Sequence, residues 1–182
     1  MLIIINGASG AGKTHLLENL YKLNKYKLTP IKKYTTRSTR SFENEEMSVD
    51  LVYDCEESMI NNLEYHYKHN GNLYGINKVE IEDEIKKGNI PVIIIRSFKI
   101  IKKLQEDFLD TRVLFVVGAT GETLKTQLNL QGRSENECLL LQCTHLDMIK
   151  DYSDNIDTID GCIINCLYNE ELFLKQFEHF IM

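Results

Sequence analysis

Short apolar runs recur along the chain, and the stretches between them space their apolar positions for helices. Runs at 2–5, 28–34, 91–95, 112–117 and 162–165 are rich in β-branched residues and predict buried strands. Leu16, Leu17, Leu20 and Leu23 mark an amphipathic helix soon after the first run. Residues 78–87, closed by Gly88, and residues 97–108 predict two more. This alternation predicts a three-layer α/β fold with a mostly parallel central sheet and helices on both faces.

Two stretches break the rhythm. Residues 37–75 are polar, with a short helix near 56–62. They then alternate in "LEYHYKHNGNLYG", which predicts a hairpin turning at Asn70-Gly71. Residues 120–150 hold two helical patterns joined at "LQGRSENE", where Ser134 and Glu137 form a capping box for the second helix. No internal repeat or linker appears, so residues 1–182 read as one domain with two appendages.

The first turn carries chemistry. "GASGAGKT", from Gly7 through Ala8, Ser9, Gly10, Ala11, Gly12 and Lys13 to Thr14, fits G-x-x-x-x-G-K-[ST] and lies between a predicted strand and a predicted helix. Such a loop turns successive backbone N–H groups, and the helix N-terminus, toward one phosphate. ATP is the expected ligand, with Lys13 reaching the β- and γ-phosphates and the Thr14 hydroxyl placed to hold Mg²⁺. His15 follows the loop and reads as a solvent-facing helix residue.

Composition narrows the rest. The chain has 182 residues, enough for one well-cored domain, and 43% are hydrophobic against 26% charged. A formal net charge of −6 argues against a broad nucleic-acid surface and leaves room for a local anion pocket. Five cysteines without a C-x-x-C pair read as free thiols of a reducing cytoplasm. No apolar run approaches the roughly 20 residues of a membrane span, so a soluble cytoplasmic protein is expected. His66 and His69 have a spacing that could bind metal, but no third ligand is evident.

"YTTRSTR", residues 34–40, sets two arginines three residues apart in this acidic chain. Together with "GASGAGKT", "GNLYG" at 71–75 and "QGRSENE", it resembles the guanylate-kinase branch of the nucleoside monophosphate kinases, over nearly the whole length. The resemblance implies an acceptor-binding subdomain at about 35–76 and a lid over ATP at about 120–150. It places Arg37, Arg40 and Tyr74, with Glu43 in the same group, on a small phosphorylated acceptor. Two planar guanidinium forks would fix a phosphate in position and orientation. The other reading of the arginines is surface ion pairs with Glu43, Glu45 and Glu46. Asn165 falls where the family's late strand approaches the adenine, or is an ordinary strand-end asparagine.

The chain also departs from the family. Tyr65 stands where an acidic residue reads guanine, Ile76 where a hydroxyl residue follows Tyr-Gly, and Val49 near a second acceptor tyrosine. Gln127, Gln131 and Gln142 replace lid arginines, leaving Arg133 as the arginine of the lid segment and a catalytic candidate beside Lys13. "PVIIIRSF" offers Arg96 where the family has aspartates, and Arg96 is the other available cation beside Arg133. The segments "YTTR", "LYG…VEI" and "GR-x-E" are similar to ribose bisphosphate phosphokinases, which need no base pocket. Three functions follow as expectations: a kinase of nucleoside monophosphates, a kinase of a ribose phosphate, or a nucleotide-binding regulator with weakened catalysis.

Overall fold

A computed structural model describes residues 1–23, 26–39, 48–118, 135–165 and 169–182, with side chains between 135 and 146 described only at 136 and 139. Its frame is a five-stranded sheet in the order β2-β7-β1-β8-β9, in which every pairing is parallel. The strands are β1 (Leu2–Gly7), β2 (Leu28–Pro30), β7 (Ile90–Ile94), β8 (Thr111–Val117) and β9 (Gly161–Ile164).

Both faces of this sheet are covered, which explains why β1 reads as an unbroken apolar run rather than an alternation. Leu2 and Ile4 join a core with Phe98, Ile101 and Leu104 of α4 (Phe98–Asp107) and Met148 of α5 (Glu135–Asp154). Ile3 and Ile5 face the other way, into Leu16, Leu17 and Leu20 of α1 (Lys13–Leu23) and Phe173 and Phe177 of α6 (Glu170–Ile181). Leu23, expected on the same stripe, is 53% exposed because α1 ends there. Ser97 caps α4 by accepting from the Ile100 N–H.

A second sheet, β4-β3-β6-β5, sits beside the first in sequence between β2 and α3 (Lys78–Lys86). It contains β3 (Lys33–Thr35), β4 (Leu51–Val52), β5 (Tyr65–His69) and β6 (Asn72–Ile76), with the short α2 (Glu57–Asn61) between β4 and β5. Asn70 and Gly71 both take positive φ, 48° and 78°, which is the backbone of a two-residue hairpin with the right twist.

The run 28–34, expected as one strand, is two strands in two different sheets. β2 lies at the edge of the parallel sheet and ends at Pro30, whose nitrogen cannot continue a ladder. After Ile31 donates to the Val92 carbonyl at 2.9 Å, the chain leaves for β3, where Tyr34 pairs with Gly75. Helix α5 is described over Glu135–Asp154, four residues beyond 150. The proposed cap and the preceding helical pattern lie outside the described residues. Among the described residues no helix is long and apolar enough to cross a membrane.

Candidate active site

The loop after β1 has the backbone its glycines predict. Gly7 sits at φ 140°, and a Cβ there would stand 2.4 Å from the Val116 carbonyl oxygen of β8. Gly12 sits at φ 91°, and a Cβ there would meet Asn165 Nδ2 at 2.3 Å. Asn165, just past β9, donates from that same nitrogen to the Ala11 carbonyl at 3.0 Å. It therefore braces the loop from behind. Lys13 Nζ folds back on the loop and donates to the Ala8 carbonyl at 2.6 Å. Thr14 is exposed at the start of α1. His15 is exposed too, 3.3 Å from Glu170 and 3.1 Å from Asn19.

Burial first, then the neighbouring Arg96 and Lys33, push the Lys13 ammonium down to about 7, against a raising effect of Asp50. The charges that act on Lys13 thus come from Arg96 just past β7, Lys33 on β3 and Asp50 just before β4. An anion placed among them would reverse the shift.

The second sheet supplies the opposite wall. Lys33 on β3 is buried, with its N–H donating to the Asp50 carbonyl at 3.0 Å and its Nζ 3.6 Å from the Asp50 carboxylate. Burial lowers its pKa, and Asp50 pulls it back up. Arg37 is half-buried, its guanidinium carbon 5.0 Å from the centre of the Tyr53 ring, and it acts electrostatically on Lys33. Tyr74 stacks on Tyr67 with ring centres 5.4 Å apart and an interplanar angle of 17°, and His69 lies 6.5 Å from the Tyr74 ring. Burial, then Arg96 and Lys13, hold the His69 imidazole down at about 4, so it is neutral at ordinary pH. The structure thus brings Lys13, Lys33, Arg37, Tyr74, His69 and Arg96 around one region.

Lys33 and its partner Asp50 carry no signal of the site in the sequence. They are 17 positions apart, and nothing in their local pattern marks them as a buried pair. Arg96 was visible as a departure, since a charged residue at the end of a buried strand beside a phosphate loop is a signal. Its contact, Nη1 to Ser9 Oγ at 2.9 Å, is a tertiary fact.

Tyr65 and Ile76 are both fully buried in the core cluster that contains α4. The Tyr65 hydroxyl donates to the Asp107 carboxylate, and Glu64 points instead toward Lys78 at 3.9 Å. Val49 packs at the margin of the other core. Cys55 and Cys162 are free thiols. Arg40, Glu43, Gln127, Gln131 and Arg133 lie outside the described residues, as does the side chain of Gln142.

A nucleotide bound on such a loop is expected to carry magnesium. Around the loop the described residues offer two hydroxyls, Thr14 and Ser9, the second already engaged by Arg96. The nearest carboxylate acting on Lys13 is Asp50, already engaged by Lys33. The adjoining strand end presents the Arg96 guanidinium, which repels a cation. This donor set does not fit a magnesium ion held by the protein.

Fold and loop together define a P-loop α/β protein of the kinase type. The sequence profile of guanylate kinase matches residues 1–163, and the chain belongs to the guanylate kinase family. The guanylate kinase of Histophilus somni is 26% identical over 176 residues, covering 94% of this chain and 83% of its own. That of Vibrio parahaemolyticus is 28% identical over 143 residues, covering 76% of this chain and 68% of its own. The crystal structure of guanylate kinase from Anaplasma phagocytophilum superposes with a TM-score of 0.63 at 16% identity, covering this whole chain and 84% of that one. Membership supports ATP-dependent phosphoryl transfer of the nucleoside monophosphate kinase type.

Proposed function

We propose that this protein transfers the γ-phosphoryl group of ATP to a small phosphorylated acceptor without reading a guanine base. The observation that carries the reading is the shared electrostatic site. Lys33 of the acceptor-side sheet acts on Lys13 at the end of the nucleotide loop, although the two belong to different parts of the fold. Two phosphate-bearing molecules bound on either side would meet there, which is the arrangement in-line transfer requires.

In this reading residues 7–14 hold ATP, with Lys13 at the moving phosphate and Asn165 behind the loop. Arg37, Arg40 and Tyr74 hold the acceptor phosphate, with Glu43 among the residues on the acceptor, while Arg133 comes from the lid over residues 120–150. Magnesium arrives with the nucleotide, touching the protein through Thr14 at most. Residues 35–76 serve as the acceptor subdomain.

Guanine is not favoured. Tyr65 and Ile76, in the positions where a base would be read, are spent inside the core. A site built to hydrogen-bond a base discriminates by about 10⁴–10⁵, and one without those groups does not. The same burial favours a ribose phosphate as the second candidate acceptor. A panel of nucleoside monophosphates and ribose phosphates, with ATP and product detection, tests both. Transfer to several monophosphates at similar kcat/KM is expected. A large preference for GMP would overturn the base-blind reading, and ATP binding without transfer to any acceptor would favour a regulatory binder.

A further inference from the structure

Arg96 lies two residues past the carboxyl end of β7, and its backbone is fixed by neighbours on the phosphate loop's own strand. The Ile95 N–H donates to the Ile5 carbonyl at 3.0 Å, and Asn6 Nδ2 donates to the Ile95 carbonyl at 2.8 Å and the Arg96 carbonyl at 3.4 Å. From there the side chain reaches Ser9 in the loop. This guanidinium is therefore held against the nucleotide loop, with little freedom to swing away.

It is held there without a contacting anion. Among the described residues no carboxylate lies within ion-pair distance of Arg96, Asp151 acts on it only from farther off, and its buried Nε–H has no hydrogen-bond partner. Its charged neighbour in the loop is Lys13, also cationic. The buried Nε2 of His69 is likewise without a partner, in a ring depressed by the same two cations. Buried polar nitrogens are normally satisfied, and a desolvated cation without a counter-charge is destabilising. Both deficits disappear if an anion sits between the loop and the second sheet, accepting from Arg96 and His69 together. The phosphates of a nucleotide on residues 7–14 are the anion that the loop would bring.

We propose that Arg96 contacts those phosphates directly, supplying by a fixed guanidinium much of the charge neutralisation that magnesium supplies elsewhere, so that ATP binds nearly as well without a divalent cation as with one. The assignment rests on the kinase reading above and goes beyond it. A guanidinium fork makes charge-assisted bonds to phosphate oxygens that an aspartate at a strand end cannot make, whereas an aspartate acts on phosphate only through a cation. If Arg96 only propped the loop through Ser9, its loss would weaken ATP binding equally with and without the cation.

The test measures the dissociation constant of ATP by calorimetry, in excess magnesium and in EDTA, for the wild-type protein, Arg96→Gln and Arg96→Lys. Gln retains a donor for Ser9 and removes the charge; Lys retains the charge. Wild type is expected to change by less than about threefold between the two conditions. Losing one charge-assisted contact should make the EDTA-to-magnesium ratio of Arg96→Gln about tenfold larger, and Arg96→Lys should stay near wild type. Equal ratios in wild type and Arg96→Gln overturn the assignment while leaving the kinase reading standing. Failure of the wild-type protein to bind ATP in either condition brings down the kinase reading itself, and this inference with it. Matching thermal unfolding curves for the three proteins confirm that the ratios report on the site.

Discussion

The Lys33 ammonium stands 3.6 Å from the Asp50 carboxylate, with the two side chains only 5% and 12% exposed. Backbone and side chain of Lys33 both meet Asp50, so this pair also fixes where β3 and β4 run side by side. Asp50→Asn leaves a buried ammonium without its counter-charge and should cost about 3–5 kcal/mol in urea unfolding. Replacing both partners, Lys33→Met with Asp50→Leu, should cost less than the single change. A single variant as stable as wild type would show that water reaches Lys33.

How much of this was legible depends on how far apart the partners are in sequence. The loop could be read because its chemistry is local: glycines, lysine and hydroxyl within eight residues, between an apolar run and a helical stripe. The hairpin was legible for the same reason, at Asn70-Gly71. The split of residues 28–34 was not, because β2 and β3 are both apolar enough to look continuous, and only pairing separates them. Arg96 with Ser9, Asn165 with Ala11 and Lys33 with Asp50 are contacts across 87, 154 and 17 positions. Periodicity carries no information about such pairs. Tyr65 could be recognised as a departure, but its burial on Asp107 needed the fold.

The depressed lysine predicts a pH dependence with a definite sign. Lys13 holds its proton only to about 7 in the folded protein, against 10.5 for an ordinary lysine. Between those values the unfolded chain binds more protons, so the ligand-free protein gains stability as pH rises through that window. Lys33 shifts in the same direction and adds to the slope. Lys13→Gln should show a shallower rise in unfolding free energy between pH 7 and 9 than wild type. Equal slopes would mean that Lys13 titrates as an ordinary ammonium.

Gly12→Ala should damage the loop by two separable routes. Its φ of 91° strains any residue with a Cβ, and that Cβ would press on Asn165 Nδ2. The strain alone costs about 1–2 kcal/mol. In an Asn165→Ala background the collision is gone and the strain remains, so the second Gly12→Ala should cost less than the first. A double-mutant cycle read by thermal unfolding, with ATP affinity alongside, measures the coupling. Strict additivity would place Asn165 away from the loop in solution.

Tyr65 separates a structural role from a reading role at the same position. Its ring is enclosed in the core, Lys103 lies 5.3 Å from the ring centre, and its hydroxyl is spent on Asp107. That hydrogen bond is the largest cause holding the Asp107 carboxyl below the usual carboxylate range, followed among the lowering effects by Lys78. Tyr65→Phe removes the bond and little else, so Tm should fall by about 2–4 °C at neutral pH. A carboxyl with a depressed folded-state value contributes stability above its unfolded value and loses it as pH falls, so the gap between the two proteins should narrow in acid. The ranking of acceptors by kcat/KM should not move, because no part of Tyr65 faces an acceptor. A Tyr65→Phe protein with normal Tm and an altered acceptor ranking would put this hydroxyl in the site and restore base reading to the hairpin.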